Sequence, residues 1–172
     1  MRVFISLKIS VCQTVQLARS TVAKVLSGTR KRNVLVALLA FVLTAQQGHA
    51  CTLNVTGVNF GSYDVFSNTA LDSTGNIDVN CPSGIGYSMS LSAGGGAHTQ
   101  RVMSSGAHTI NYNLHTAADR AVVWGDSNNG TVTVHGIGTG VNANHGVYGR
   151  IPALQNVHAG SYSDIIIVEL TF

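Results

Sequence analysis

Apolar side chains fall on every second position through most of the stretch from Leu53 to Phe172, a spacing that suits half-buried strands and excludes amphipathic helices. Leu53 and Val55 begin the series. It continues through Ile77, Val79 and Cys81, then Ile85, Tyr87, Met89 and Leu91, then Ile110, Tyr112 and Leu114, then Val132 and Val134. Between the runs stand Ser73-Thr74-Gly75-Asn76, Ala93-Gly94-Gly95-Gly96, Asp126-Ser127-Asn128-Asn129-Gly130 and Gly136-Ile137-Gly138-Thr139-Gly140, compositions that favour turns. Short strands separated by turns predict an all-β antiparallel sandwich with little helix.

The last strand constrains the fold most sharply. From Asp164 onward, Ile166, Val168, Leu170 and Phe172 share one face, and Ile165, Ile167, Glu169 and Thr171 share the other. So apolar a strand at a sheet edge is an aggregation hazard unless something covers it. No following strand is available in the sequence to do so. The expectation is that Ile165, Ile166, Ile167, Val168, Leu170 and Phe172 line a groove that a partner's strand fills. Intramolecular strand neighbours on both sides of Asp164 to Phe172 would overturn that expectation and the assembly role built on it.

Residues 1–50 read apart from the rest. Arg30, Lys31 and Arg32 precede an apolar run from Val34 to Ala45, and Gly48 and Ala50 supply the small residues that a signal peptidase reads. A bilayer-spanning helix needs roughly 20 apolar residues, so the run reads as a secretory signal and not as an anchor. Residues Met1 to Gly28 make the leader long and show no pattern of a second domain; translation from near Val25 or Leu26 would explain the length. The leader carries seven of the ten basic residues. Beyond it, Arg101, Arg120 and Arg150 face seven acidic residues, for a formal charge of −4, and the basic footprint of a nucleic-acid binder is missing.

Residues 51–172 suffice for one sandwich domain with a modest core. Two cysteines remain in it, Cys51 and Cys81. In an exported chain such a pair reads as a disulfide, since metal and redox pairs use shorter spacings. Cys51 lacks the Leu three residues upstream that lipid modification requires.

The chain also resembles the spore coat protein U family, which includes subunits of archaic chaperone-usher pili. The likeness runs through Val58-Asn59-Phe60-Gly61-Ser62-Tyr63-Asp64, Gly75-Asn76-Ile77-Asp78-Val79-Asn80-Cys81, Arg101-Val102-Met103 and Ile110-Asn111-Tyr112-Asn113-Leu114. It continues through Trp124-Gly125-Asp126, Tyr148-Gly149-Arg150-Ile151-Pro152 and Gly160-Ser161-Tyr162-Ser163-Asp164. The resemblance implies an immunoglobulin-like sandwich lacking its last strand. It further implies a periplasmic chaperone, an outer-membrane usher and neighbouring pilus or coat subunits as partners, with transit through the periplasm to the cell surface. Donor-strand complementation, a form of β-augmentation, would join them. Subunits that polymerise this way carry an extension ahead of the first cysteine. Cleavage next to Cys51 leaves none, which predicts a terminal or minor subunit, or a coat protein that does not polymerise.

The remaining chemistry is sparse. His98, His108, His115, His135, His145 and His158 form no close ligand pair, so no metal or cofactor is expected. No nucleophile elbow or phosphate loop appears, and no enzyme is expected. Trp124 reads as a core-edge indole, and Tyr63, Tyr148 and Tyr162 as residues packed beside turns, with exposed sugar platforms as the alternative. Arg101 and Arg150 are expected in structural hydrogen bonds or ion pairs. The alternative to an assembly subunit is a self-sufficient secreted adhesin or carbohydrate-binding module.

Overall fold

The computed structural model describes residues 2–12 and 50–172, and the apolar run from Val34 to Ala45 lies outside them. Ten strands follow one another in the described residues, with no helix. They are β1 (Arg2–Cys12), β2 (Thr52–Thr56), β3 (Asn59–Ser62), β4 (Leu71–Asn80) and β5 (Gly86–Leu91). The remainder are β6 (Arg101–Ser105), β7 (His108–His115), β8 (Val134–Ile137), β9 (Ala143–Ile151) and β10 (Ser161–Thr171). The class is the all-β, immunoglobulin-like sandwich that the alternation and the resemblance predict.

One layer runs β2-β4-β9-β7, antiparallel throughout. The other has β10 at its centre, with β5 and β6 antiparallel on one side and β8 beyond β5. The β6–β7 hairpin joins the layers, so the sheet curls into a single path. Between them lie Ile77, Val79, Tyr112, Leu114 and Val147 with Met89, Leu91, Ile166, Val168 and Leu170, all at most 2 % exposed. Removing this apolar area from water is the main favourable contribution to the fold.

The chain's two cysteines within this unit, Cys51 and Cys81, are joined in a disulfide that ties the start of β2 to the end of β4. A loop of that length stabilises the fold by about 3 to 4 kcal/mol in the chain-entropy model.

Two readings of the sequence are corrected here. Ser73-Thr74-Gly75-Asn76 is no turn: it lies within β4 and pairs with β9 from Gly149 to Gly146. Gly75 is needed there for close packing, because a Cβ would stand 2.6 Å from the Thr56 carbonyl oxygen and 2.9 Å from Val58. Gly136 and Ile137 belong to β8, and of that stretch only Gly138, Thr139 and Gly140 fall in the 138–142 loop after it.

The larger correction concerns the terminal strand. β10 has intramolecular neighbours on both sides, since β1 pairs with it in parallel from Arg2↔Ser161 to Cys12↔Thr171. On its far side β1 pairs antiparallel with β3. The reason is visible in the residues: Val3, Ile5, Leu7, Ile9 and Val11 alternate with Arg2, Phe4, Ser6, Lys8 and Ser10, which is strand periodicity inside the segment that showed no pattern of a second domain.

Candidate functional site: the edge of the terminal strand

β10 is held in place before its apolar run begins. The Asp164 carboxylate accepts a 2.7 Å hydrogen bond from the Tyr112 hydroxyl and a 3.1 Å bond from the Gly95 backbone N–H. Gly94 has φ +62° and carries the loop so close to Asp164 that a side chain at this position would collide with the carboxylate. Burial, then the Asp164 carboxylate, pushes the Tyr112 phenol far above its ordinary range, so it remains a donor at any working pH.

Beyond Asp164 the strand alternates strictly. Ile166, Val168 and Leu170 are fully buried, and Phe172 packs partly buried against the same core. Ile165 and Ile167 point outward at 48 % and 45 % exposure, and Phe4 of β1 joins them at 48 %. One face of the strand therefore belongs to the core, the other forms an exposed apolar patch, and the backbone edge carries the pairing with β1.

The side of β10 that faces β5 is fixed by a buried cation. Arg101, with 0 % exposure, donates to the carbonyls of Ser92 at 3.0 Å, Leu91 at 3.4 Å and Trp124 at 2.8 Å, and to Asn113 Oδ1 at 2.7 Å. Burial lowers its pKa, while Tyr112, Asp164 and Asp126 oppose that shift. The guanidinium so ties the end of β5, the Trp124 segment and β7 into one block. Trp124 is buried and its indole N–H donates to the Met89 carbonyl, so it is a core residue and no exposed platform. Nothing in the spacing of the sequence marked Arg101 as this hub.

The other residues singled out in the sequence are dispersed. Tyr63 donates to the Pro152 carbonyl and accepts from the Gln155 N–H, and Tyr162 donates to the His158 carbonyl. Arg150 grips Asp72 with two bonds of 2.8 and 2.9 Å, which holds that carboxyl below its usual range, and Arg120 stands 3.2 Å from it. Of the histidines, His98 approaches the Leu91 carbonyl, His115 the Tyr148 carbonyl, His135 the Thr133 hydroxyl and His145 the Tyr87 hydroxyl. His108 and His158 stack with ring centres 4.1 Å apart. Among the described residues no three His, Cys, Asp or Glu side chains converge as metal ligands. A cleft of about 380 Å³ lies over β7 and β9, but the side chains of Asn113, Arg150 and Gln155 that line it, and the Asn111 backbone, are bonded within the protein.

Comparison with known proteins agrees with this architecture. Residues 37–169 match the Spore Coat Protein U domain. The chain is 31 % identical over 146 residues to Protein U of Myxococcus xanthus, covering 74 % of this chain and 80 % of the relative. Its fold is similar to a chain of the crystal structure of the CsuC-CsuE chaperone-tip adhesion subunit pre-assembly complex, from archaic chaperone-usher Csu pili of Acinetobacter baumannii. The TM-score is 0.52 at 23 % identity, over 72 % of this chain and 39 % of that one. Sequence, fold and the order of the matching stretches agree: the chain belongs to the Spore Coat Protein U family.

Proposed function

We propose that this protein is an exported structural subunit of a bacterial surface fibre or spore-coat-like layer, completed by a strand from another molecule. In this reading a periplasmic chaperone holds the subunit, an outer-membrane usher receives it, and a neighbouring subunit then supplies the strand. Residues 1–50 are its leader, removed at the small residues before Cys51, and 51–172 are the assembling domain. The groove lies along Ile165, Ile166, Ile167, Val168, Leu170 and Phe172. A chain that begins at Cys51 accepts a strand and has none to give, as a terminal or minor subunit would.

One observation carries the reading. Within 51–172, no described strand pairs with the β10 edge that faces β3; the only strand found there, β1, comes from outside the disulfide-bonded domain. An apolar strand left open on that side needs added backbone to stay soluble. The likeness to a chaperone-bound pilus subunit supports a chaperone as the first donor.

The test is export of the chain with and without a co-expressed periplasmic chaperone of an archaic chaperone-usher system. A stable one-to-one complex, and degradation or aggregation of the processed subunit alone, are expected. A processed chain that is monomeric and melts cooperatively without a partner would overturn the proposal. One feature favours the second reading, a self-sufficient adhesin or binding module: β1 already closes the groove. That reading requires residues 2–12 to be retained, so N-terminal sequencing of the exported protein separates the two.

A further inference from the structure

We propose that the cleft over β7 and β9 is a binding site for an acidic sugar, a ring that carries several hydroxyls and one carboxylate, as one unit of a polysaccharide. None of the residues lining it belongs to β10 or β3. The inference therefore goes beyond the assembly reading and holds whichever strand closes the terminal groove.

Charge points to an anion. Residues 51–172 hold three cations, Arg101, Arg120 and Arg150, and all three meet in one row across the sheet. Arg150 pairs with Asn113 of β7 on one side and with Asp72 of β4 on the other. Arg101 donates to Asn113 Oδ1 at 2.7 Å from the buried side, and Arg120 stands 3.2 Å from Asp72. Asp72 is the one carboxylate paired into the row among the described residues, so the row is locally positive in an acidic domain. Burial, and behind it the three guanidinium charges, hold His115 of the same cleft below its ordinary range, so its ring is neutral near pH 7.

The bonding capacity left over in the cleft suits a sugar. Arg150 commits Nε and Nη2 to Asp72, and its Nη1 makes no hydrogen bond among the described residues. His115 Nδ1 faces the Tyr148 carbonyl at 3.2 Å and so carries the ring proton, which leaves Nε2 as an acceptor. The side chains of Thr99, Gln100 and Asn111 make no bond among the described residues, yet the backbone beneath them is fixed. Asn113 Nδ2 donates to the Thr99 carbonyl at 2.9 Å, and the Gln155 amide accepts from the Asn111 N–H at 2.8 Å and donates to its carbonyl at 2.9 Å. Groups held in place in this way lose little freedom on binding. Exposed Pro152 supplies an apolar wall for the C–H face of a sugar ring. The volume of about 380 Å³ falls in the range of small-ligand sites. Arg150 Nη1 then donates to the carboxylate in a charge-assisted hydrogen bond, while Gln100, Asn111, Thr99 and His115 Nε2 bond the ring hydroxyls. A neutral sugar forgoes the first of these.

The experiment titrates the exported protein with oligomers of galacturonic acid and, in parallel, with oligomers of glucose and with acetate. The protein is used in complex with a chaperone if it needs one and alone if it does not, with the chaperone by itself as the blank. The acidic oligomer is expected to bind at least tenfold more tightly than the glucose oligomer or acetate. Gln100→Ala combined with Asn111→Ala breaks no side-chain bond inside the protein and should leave the melting temperature unchanged. It should weaken binding by about tenfold, the effect of losing one or two hydrogen bonds. Arg150→Gln should bring the acidic oligomer down to the level of the neutral one; if loss of the Asp72 pair prevents folding, the double variant decides alone. No binding of the acidic oligomer at millimolar concentration, equal binding of the glucose oligomer or of acetate, or a double variant that binds like wild type would each overturn the proposal. Chaperone capture is not the readout, so failure here leaves the assembly test standing, and failure there leaves this one.

Discussion

Arg101 was visible in the sequence as a lone cation in a nearly uncharged stretch, yet its role depends on acceptors supplied by three separate segments. Its fork satisfies the carbonyls of the buried Leu91 and Trp124 and of the half-buried Ser92. Arg101→Met is expected to cost about 2 to 4 kcal/mol, because it leaves buried acceptors unpaired. Arg101→Lys should recover little of that, since one ammonium cannot reproduce the planar fork. The midpoint of urea unfolding measures both, and a Lys variant as stable as wild type would refute the role given to the fork. His115 and His145 belong to the same scale: burial holds both below their ordinary 6.5. A histidine kept neutral by folding contributes its full stability above the unfolded pKa. That contribution declines as pH falls below about 6.5, where the unfolded chain takes up protons that the native state refuses. The melting temperature should therefore drop between pH 7 and pH 5, and His115→Gln should flatten the slope; an unchanged slope would show that His115 is not a source of it.

At the scale of elements, strands β4, β5, β7 and β10 were legible because each repeats its apolar residues at period two over a run long enough to count. β10 is the clearest case, with Ile166, Val168 and Leu170 fully buried and Ile165 and Ile167 outward. Val168→Asp or Leu170→Asp places a carboxylate in the core and is expected to abolish recovery of soluble protein when it is co-expressed with a chaperone of the kind proposed above. Glu169→Gln, exposed on the outer face and outside the proposed groove, should change stability by less than about 0.5 kcal/mol and leave that recovery intact; equal losses for core and outer variants would deny the face assignment. β4 was misread at Ser73 to Asn76 because turn-forming composition and a tightly packed glycine look alike in one dimension. Gly75→Val is expected to destabilise by about 1 to 3 kcal/mol through overpacking against Thr56 and Val58. A stable variant with an unchanged fold would mean that β2 and β4 can part at little cost.

For the whole molecule, the disulfide and the terminal groove act on different states. Cys51–Cys81 restricts the unfolded chain, so reduction or a Cys81→Ser variant should lower stability by about 3 to 4 kcal/mol without altering what binds at β10. Unfolding in denaturant with and without reductant measures the first, and chaperone capture of the reduced protein the second. The groove is instead governed by which backbone occupies it. β1 of the same chain does so here, and in the assembly proposed above a partner's strand would take that place.

The residues alone determined the β-sandwich class, the disulfide partners and the two faces of β10, because these follow from local alternation, cysteine number and side-chain chemistry. Only the tertiary structure decided that Gly75 lies in a strand, that Arg101 is a buried hub, and that Arg2–Cys12 lies beside β10. Each of these depends on pairing between segments far apart in the chain. Backbone hydrogen bonds between strands are blind to side-chain identity, so periodicity shows that a strand wants a neighbour and does not say which strand that neighbour is.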